Sequence, residues 1–366
     1  MRYIHQQKDW PKFSWSAAEV EAQLAESSFE LGKFLGRLSS IGFEVQNEAV
    51  CEMLSAEMLN SAAIEGERLN RDEVRSSVAR RMEIEFSAAK NVVSHESEAR
   101  ADMMLDAVRN WDKPMTKERL FSWHAALFPT GYSGLAKIAV GVFRDDVQGP
   151  MRVVSHRGMM ERVHFVAPPA DRLFDETARF LDFVNATKGG ISWLVKAAIA
   201  HVWFLSLHPF DDGNGRLARA LTEYLLAKGE ESSMRFYSLS VQIQKEKDAY
   251  YEELERAQRG TLDVSRWVNW FLGCHLRSVK SAEAQLATIL AKADFWREHS
   301  GAELNANQRK ILNKLFDGFE GNLTSSKWAK ICKVSQDTAS REINILVNKG
   351  ILKLQGRGRS THYVLT

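Results

Sequence analysis

Apolar residues recur every three or four positions along most of this chain, which is the spacing of amphipathic α-helices. In the first part of the chain, the pattern predicts helices over residues 17–38, 45–65 and 69–82. Farther along, it predicts helices over residues 170–185, 191–207 and 216–229, one through Tyr250, and two more over 267–274 and 278–298. The helix over 216–229 is expected to end at Gly229, because glycine commonly follows a last helical turn. The sequence therefore predicts a mainly α fold.

The helical pattern is broken once, between residues 140 and 169. Two short β-rich runs, MRVVS at 151–155 and RVHFV at 162–166, flank the segment HRGMME, and two prolines close the stretch. Short β-rich runs separated by a glycine-containing connection are typical of a β-hairpin.

The last 66 residues show a pattern of helices and strands that differs from the rest of the chain. Three helices are predicted here. The first covers residues 305–316, the second covers 324–334 with Thr324 or Ser325 as its N-cap, and the third begins after the N-cap Ser335. Two strands follow, with glycines between them. Three helices and a β-wing predict a winged helix-turn-helix. We expect an N-terminal helical region (1–100), a catalytic domain (101–280), a linker helix (281–300) and the winged helix-turn-helix domain (301–366).

Composition narrows the class of protein. Hydrophobic residues make up 45% and charged residues 26% of the chain, which is typical of a globular protein rather than a disordered or membrane one. Lys196 and His201 interrupt the longest apolar stretch, 191–207, and favour a buried helix over a membrane span. No apolar signal region follows Met1, so we expect a cytoplasmic protein. Three widely spaced cysteines are expected to be reduced thiols: Cys51, Cys274 and Cys332.

The net charge of +2 is unevenly spread. Residues 301–366 contain 11 Lys and Arg against 5 Asp and Glu, whereas the remainder contains 38 against 42. A basic terminal segment on a slightly acidic body indicates a nucleic-acid contact for that segment. A solvated basic surface explains the same excess equally well.

Residues 208–219, HPFDDGNGRLAR, concentrate the candidate chemistry. The turn 213–215 precedes a helix whose free backbone amides attract anions, and its glycines let an oxyanion approach the backbone closely. Arg216 and Arg219 are three residues apart and share a helix face, where two guanidinium groups suit several phosphates.

Two further groups flank this predicted anion site. Asp212 could hold Mg²⁺ against the phosphates, and His208 could act as a general base near a phosphorus centre. The simpler alternative is a capped turn between helices with incidental charge, but such a turn does not need all of these groups. Together they indicate nucleotide phosphate chemistry.

The same segment resembles the signature of Fic-domain proteins, HPF-x-D/E-GNGR-x-x-R. Its fixed positions are matched by His208, Pro209, Phe210, Asp212, Gly213, Asn214, Gly215, Arg216 and Arg219. The resemblance implies a helical Fic core that transfers AMP from ATP to a Ser, Thr or Tyr hydroxyl of a target protein, releasing pyrophosphate. It implies that His208 deprotonates the hydroxyl, that Asp212 holds Mg²⁺ and that Phe210 is structural. The turn 213–215 would form the anion hole, and both arginines would bind the phosphates.

The resemblance also gives the hairpin a role. Fic proteins carry a β-hairpin flap upstream of the motif that pairs with the target peptide by strand addition, and an ordinary surface hairpin is the alternative. The residues implied to line the nucleotide side of the flap are Val163, His164, Phe165 and Val166. Tyr250 and Tyr251 occupy the place from which relatives offer rings to adenine, with two core tyrosines as the alternative.

A second match lies in the N-terminal region. SAAIEG, residues 61–66, fits the inhibitory motif [S/T]-x-x-x-E-[G/N] of Fic proteins. Ser61 and Glu65 are four residues apart and share a helix face, and Gly66 is placed to stop the helix. The resemblance implies that Glu65 inhibits the enzyme by pairing with Arg219. The block YIHQQKDWPKFSW resembles the helical extension often joined to bacterial Fic domains.

Three hypotheses for the function stay open. The first is an AMP transferase, acting on a target and on itself and inhibited by Glu65. The second is an enzyme that removes AMP with the same site, and the third is a DNA-binding regulator whose Fic part senses nucleotide. An intact His208 argues against the third. The expected ligands are ATP and Mg²⁺. The expected partners are a target protein docked on the flap, DNA or protein at residues 301–366, and a second copy of the chain in a homodimer, but no membrane.

Overall fold

The computed structural model describes residues 3–39, 43–83, 94–157, 160–187, 190–299, 301–316, 319, 321–356 and 361–366. The chain divides into two compact units, Met1–Ala282 and Glu283–Thr366, which we call the main unit and the terminal unit.

The main unit is built from helices, as the apolar periodicity predicts. The helices are α1 (Ala17–Leu38), α2 (Phe43–Ile64), α3 (Arg71–Arg81), α4 (His95–Arg109), α5 (Lys117–Leu127), α6 (Leu173–Asn185), α7 (Trp193–Leu207), α8 (Asn214–Glu230), α9 (Leu239–Lys245), α10 (Lys247–Gln258) and α11 (Ser265–Glu298), the last of which continues into the terminal unit. The mainly α fold class is confirmed.

Helix α7 forms the centre of the core. Every residue from Leu194 to Leu207 is buried, and the helix packs along α8. The N-terminal block is fixed to this core, because the indole of Trp10 donates a 2.8 Å hydrogen bond to Glu176 and both Trp10 and Phe13 pack against Trp203. The apolar run therefore is a buried helix. In the part of the chain that the structure describes, no helix has both the length and the apolarity needed to cross a membrane.

The strands of the main unit form two small hairpins. β1 (Tyr132–Ser133) pairs with β2 (Ala136–Lys137), and β3 (Arg152–Arg157) pairs antiparallel with β4 (Met160–Val166). The second hairpin is the one that the sequence predicts, with a register shift between Val153 and Val154. We call it the flap.

Three features differ from the expected pattern. A single 34-residue helix, α11, replaces the two helices expected on either side of residue 275. Helix α8 passes through Gly229 and ends at Glu230. A side chain at Gly229 would overlap the ring of Trp193, so this glycine serves close packing rather than helix termination. Helices α4 and α5 and the hairpin β1–β2 were not predicted.

The terminal unit contains α12 (Ala306–Phe316), α13 (Ser325–Cys332), α14 (Gln336–Asn348) and the antiparallel strands β5 (Leu352–Gln355) and β6 (His362–Leu365). Thr324 and Ser335 cap α13 and α14 as expected. The unit has its own core around Trp328, whose indole donates to Glu342 at 2.7 Å. Arg357 and Arg359, which the sequence places between the two predicted strands of the wing, lie outside the described residues. All three cysteines are free, with Cys51 and Cys274 buried.

Candidate active site

The loop between α7 and α8 has a shape fixed by its own side chains. Asn214 is buried, and its amide group accepts from the Phe210 N–H at 3.1 Å and donates to the Phe210 carbonyl at 2.8 Å. The buried Phe210 ring stacks on His124 with centroids 4.1 Å apart. Phe210 is therefore structural, as expected. Asn214 contributes only its backbone amide to the predicted anion site, because its side chain braces the loop.

Gly213 begins α8 with φ of 82°, a left-handed conformation that favours glycine. An added Cβ there would lie 2.8 Å from the ring of Phe128, so space also excludes a side chain. The Gly213 amide itself donates to the Asp212 carboxylate, so the next two amides, those of Asn214 and Gly215 in the first turn of α8, are the ones that suit an anion site at a helix N-terminus.

His208 ends α7 in a left-handed conformation, with φ of 48°, and is half-buried. Its carbonyl accepts a 2.8 Å hydrogen bond from the buried guanidinium of Arg144. Burial, followed by the charge of Arg144, lowers the pKa of His208 to about 4. The imidazole is therefore neutral at pH 7, the form that can accept a proton.

Asp212 stands at the mouth of the loop with its side chain 45% exposed. One carboxylate oxygen accepts from the Gly213 amide at 2.6 Å, and the other accepts from the Ser133 hydroxyl and lies 3.5 Å from Arg216. A single accessible carboxylate beside a phosphate site suits Mg²⁺, which takes one or two carboxylates and completes its shell with water and phosphate oxygens. Asp212 thus fits the predicted ligand role. The described residues contain no cluster of three His, Cys, Asp or Glu that could form an all-protein metal site.

The end of α2 lies against the start of α8. The buried guanidinium of Arg219 donates to the Ser61 hydroxyl and to the Ser61 carbonyl, each at 2.8 Å, and to the Glu65 carboxylate at 2.9 Å. A side chain at Gly215 would overlap that carboxylate. Glu65 therefore lies directly over the first turn of α8, between its backbone and Arg219. The structure brings these residues together although more than 150 residues separate them in sequence.

The negative charge of Glu65 stabilises the positive charge of the buried Arg219. Burial alone would lower the pKa of Arg219, but the Glu65 carboxylate and the nearby tyrosines raise it overall. One guanidinium nitrogen of Arg219, NH1, is buried and has no hydrogen-bond partner among the described atoms. Arg219 is thus permanently charged and keeps one donor available.

The two tyrosines of α10 have different positions. Tyr250 is buried, and its hydroxyl lies 3.0 Å from His201 Nε2, so the core alternative describes it. Tyr251 is 39% exposed, and its hydroxyl lies 3.3 Å from the Ile64 carbonyl at the end of α2. Burial, followed by the charge of Glu65, raises the pKa of Tyr251 to about 12. Only Tyr251 keeps a ring that a ligand can reach.

The second strand of the flap is fixed through its backbone. Arg259 donates to the Val163 and His164 carbonyls at 2.6 and 2.9 Å, and Glu255 holds the His164 ring at 2.7 Å. Val163, His164 and Val166 are half-buried. The Phe165 ring is fully buried, 5.1 Å from the ring of Tyr3, so its side chain is not available to line a nucleotide site.

Several residues of the site were missed from the sequence: Glu67, Arg100, His124, Ser133 and Arg144. Each acts through contacts made by the folded chain, such as Ser133 with Asp212 or Arg144 with the His208 carbonyl. Only Glu67 carried a usable signal, because it directly follows the inhibitory motif.

Two family models match parts of this chain. Residues 114–226 match the model of the Fic/DOC family, and residues 3–84 match a model described as a domain of unknown function, DUF4172. Residues 114–226 are therefore similar to the Fic/DOC family, and the 208–219 segment lies inside this match. The segment 61–66, predicted to be inhibitory, lies in the other match.

Individual relatives resemble only part of the chain. A protein adenylyltransferase Fic of Culex quinquefasciatus is 35% identical over 104 residues, which is 28% of this chain and 19% of that protein. A uridine 5'-monophosphate transferase of Xanthomonas campestris pv. campestris (strain 8004) is 27% identical over 134 residues, 34% of this chain and 23% of that protein. The matched part of this chain thus spans less than a quarter of either relative.

A Fic family protein from Desulfovibrio desulfuricans G20 has a similar solved structure. The TM-score is 0.56 over 97% of this chain and 98% of that one, at 21% identity. At that identity, the likeness supports the shared fold alone.

Proposed function

We propose that this protein transfers AMP from ATP to a Ser, Thr or Tyr hydroxyl of a target protein, and to itself, because residues 114–226 match the Fic/DOC family model. The observation that carries the proposal is the neutral, half-buried His208 at the end of α7, directly before a loop whose amides and two arginines are suited to phosphates. A sensor of nucleotides alone would need the phosphate groups but not the base.

The proposed reaction assigns a role to each group. The target hydroxyl oxygen attacks the α-phosphorus, its proton passes to His208, and the bond from the α-phosphorus to the leaving pyrophosphate breaks. The amides of residues 214 and 215 and the guanidinium groups of Arg216 and Arg219 bind the phosphate oxygens. Asp212 would hold Mg²⁺, which when bound neutralises phosphate charge.

We further propose that Glu65 keeps the enzyme inactive. Its carboxylate pairs with Arg219 and lies over Gly215, where the terminal phosphate of a productive ATP would need the same guanidinium. Negative charge repels that phosphate, so ATP would bind with its α-phosphorus turned away from in-line attack. Two hydrogen bonds from Arg219 to Ser61 fix the end of α2 in this position.

The target is proposed to dock on the flap by strand addition. The Arg259 contacts hold two carbonyls of β4 to the body of the protein. The hydroxyl donor would then be presented beside His208. The terminal unit is proposed to be a winged helix-turn-helix that contacts DNA or protein, with Arg341 and Lys353 exposed on α14 and β5.

The test is mass spectrometry of the purified full chain after incubation with ATP and Mg²⁺, because self-modification needs no known target. UTP is tested in parallel, since one relative is named a uridine 5'-monophosphate transferase. A mass increase of one AMP that depends on His208 supports the proposal, whereas a UMP increase alone would reassign the nucleotide. No increase with either nucleotide, for wild type or Glu65→Gly, would refute transfer.

Removal of AMP is the second candidate. The observation that favours it is the Glu65 carboxylate, which is 31% exposed and could orient a water molecule toward a bound modified residue. A target that already carries AMP separates the two reactions, because only the removing enzyme releases AMP from it without ATP.

A further inference from the structure

Glu67 lies two residues beyond Glu65, outside the inhibitory motif, and bridges two buried arginines. Its carboxylate accepts from Arg216 NH1 at 2.6 Å and from Arg100 NH1 at 2.9 Å. The side chains of Arg216 and Arg100 are only 5% and 6% exposed. Charge-assisted bonds to buried guanidinium groups are among the stronger polar contacts in proteins. Glu67 therefore makes two strong contacts, whereas Glu65 makes one.

The backbone between the two glutamates aims them at different arginines. Glu67 N–H donates to the Ala62 carbonyl and Gly66 N–H donates to the Ala63 carbonyl, both at 3.0 Å. With Gly66 at φ of 83°, these bonds form the Schellman turn that commonly ends a helix. The turn places Glu65 on Arg219 and Glu67 on Arg216, so one short segment contacts both arginines of the 208–219 motif.

Arg100 connects the turn that carries Glu67 to a second helix. It belongs to α4, outside the motif, and its other guanidinium nitrogen is held by Glu96 at 2.5 Å. Because the Arg100 guanidinium is bonded to Glu67, the Glu67–Arg100 pair ties the end of α2 to α4.

We propose that Glu67 anchors the inhibitory turn: by holding Arg216 and Arg100, it keeps Glu65 over the start of α8 and occupies one donor of Arg216. This inference rests on the proposed inhibitory role of Glu65. The turn then blocks both motif arginines, and its release requires breaking the Glu67 contacts as well as the Glu65 contact.

The first measurement is hydrogen exchange of the full chain, which needs no enzymatic activity. Glu67→Gln keeps the size of the side chain and removes its charge. Exchange in peptides covering residues 61–69 is expected to rise about ten-fold, because the neutral amide weakens both charge-assisted bonds. Glu98→Gln is the matched control: Glu98 also pairs with an arginine at 2.6 Å, but that arginine, Arg80, does not contact the turn.

A second variant tests the same ion pair from its other side, so that the result does not depend on the glutamine introduced at residue 67. Arg100→Met removes the other half of the anchor without touching the motif and should raise exchange in the same peptides. Unchanged exchange in both Glu67→Gln and Arg100→Met would overturn the anchor.

Nucleotide transfer distinguishes an anchor from a residue that orients Arg216 for phosphate. An anchor predicts that Glu67→Gln raises transfer above wild type, but less than Glu65→Gly does, and that the double variant matches Glu65→Gly within about two-fold. A marked loss of transfer on adding Glu67→Gln to Glu65→Gly would overturn the anchor in favour of the orienting role. If exchange rises while no variant transfers nucleotide, the anchor stands and the proposed function fails.

Discussion

Replacing Glu65 with glycine is expected to activate the enzyme. The change removes the carboxylate that lies over Gly215, but leaves the two hydrogen bonds from Arg219 to Ser61. Arg219 therefore stays in place with its NH1 and NH2 groups free to bind the terminal phosphate of ATP. The variant opens the site without dismantling it.

The expected gain in rate follows from the geometry of the reactants. Misalignment of reacting atoms typically costs about 10²-fold, so relief of the misalignment should raise transfer by roughly that factor. The free protein should lose stability, because a buried guanidinium loses a partner. The Glu65 side chain is 31% exposed, so solvent screens the pair and the loss should be only about 1–2 kcal/mol.

The assay combines a rate with a stability measurement. Initial rates of self-modification are followed by intact mass for wild type, Glu65→Gly and Glu65→Gly with His208→Ala over a range of ATP concentrations. The double variant should be silent, because it has an open site but no base. Thermal unfolding with and without ATP should show the larger ATP stabilisation for Glu65→Gly, since phosphate replaces the missing carboxylate.

Equal rates for wild type and Glu65→Gly at every ATP concentration would refute the inhibition argument. The Glu65–Arg219 pair would then be a structural contact without effect on transfer, and the catalytic assignment of His208 would still stand.

Other changes test the remaining parts of the argument. His208→Asn and His208→Ala should each reduce transfer by about 10²–10⁴-fold, and the asparagine variant should be the more stable because it tolerates the left-handed backbone at φ of 48°; a variant that keeps most of its rate would exclude His208 as the base. Asn214→Ala should destabilise the protein by roughly 2–4 kcal/mol in urea unfolding, because it leaves two buried backbone groups unpaired, whereas a change below about 0.5 kcal/mol would show that the loop does not depend on this brace. Burial lowers the pKa of His201 and His275 to about 3, below the 6.5 of the unfolded chain, so both side chains are neutral in the folded protein. The free energy of unfolding should therefore fall by about 1.3 kcal/mol per histidine between pH 7.5 and 5.5, because only the unfolded chain takes up protons in that range. His201→Gln should remove the share of this loss that belongs to His201, and an unchanged pH dependence would contradict the assignment. If the terminal unit contacts DNA, gel shifts of the full chain should weaken steeply with salt and Arg341→Ala should reduce the salt slope by about one, whereas no shift even at low salt would favour a protein-contact module.

The helices were largely predictable because their apolar spacing reflects burial on one face. Helix α7 is different because it is buried on every side, and its long apolar run has few alternatives to a buried helix despite Lys196 and His201. The division of α11 into two was an error because the polar residues near 275 can also be satisfied within a helix: His275 is buried and bonded to Tyr237 and Ser27. Gly229 led to a wrong prediction of the end of α8, because this glycine makes room for the ring of Trp193 and does not end the helix.

The site was predictable where its chemistry is contiguous in sequence. Residues 208–219 form a single loop and helix start, so their proximity follows from the chain itself. The contact between Glu65 and Arg219 was expected only because a second motif pointed to it. Arg144 and Ser133 were missed because each contributes through contacts that only the folded chain makes, and no spacing or composition marks such a residue.

Arg144 joins two parts of the protein that have different tasks. Its guanidinium donates to the His208 carbonyl and, at 2.6 Å, to the Pro168 carbonyl just beyond the flap, and it pairs with Asp146 at the other side of the hairpin. The base of the flap is thus tied to the loop that begins at His208. If the flap docks the target as we propose, this attachment marks a natural graft boundary: hairpin tips from other proteins could be exchanged between Val154 and Val163 to test new targets, while the contact that holds His208 is inherited unchanged.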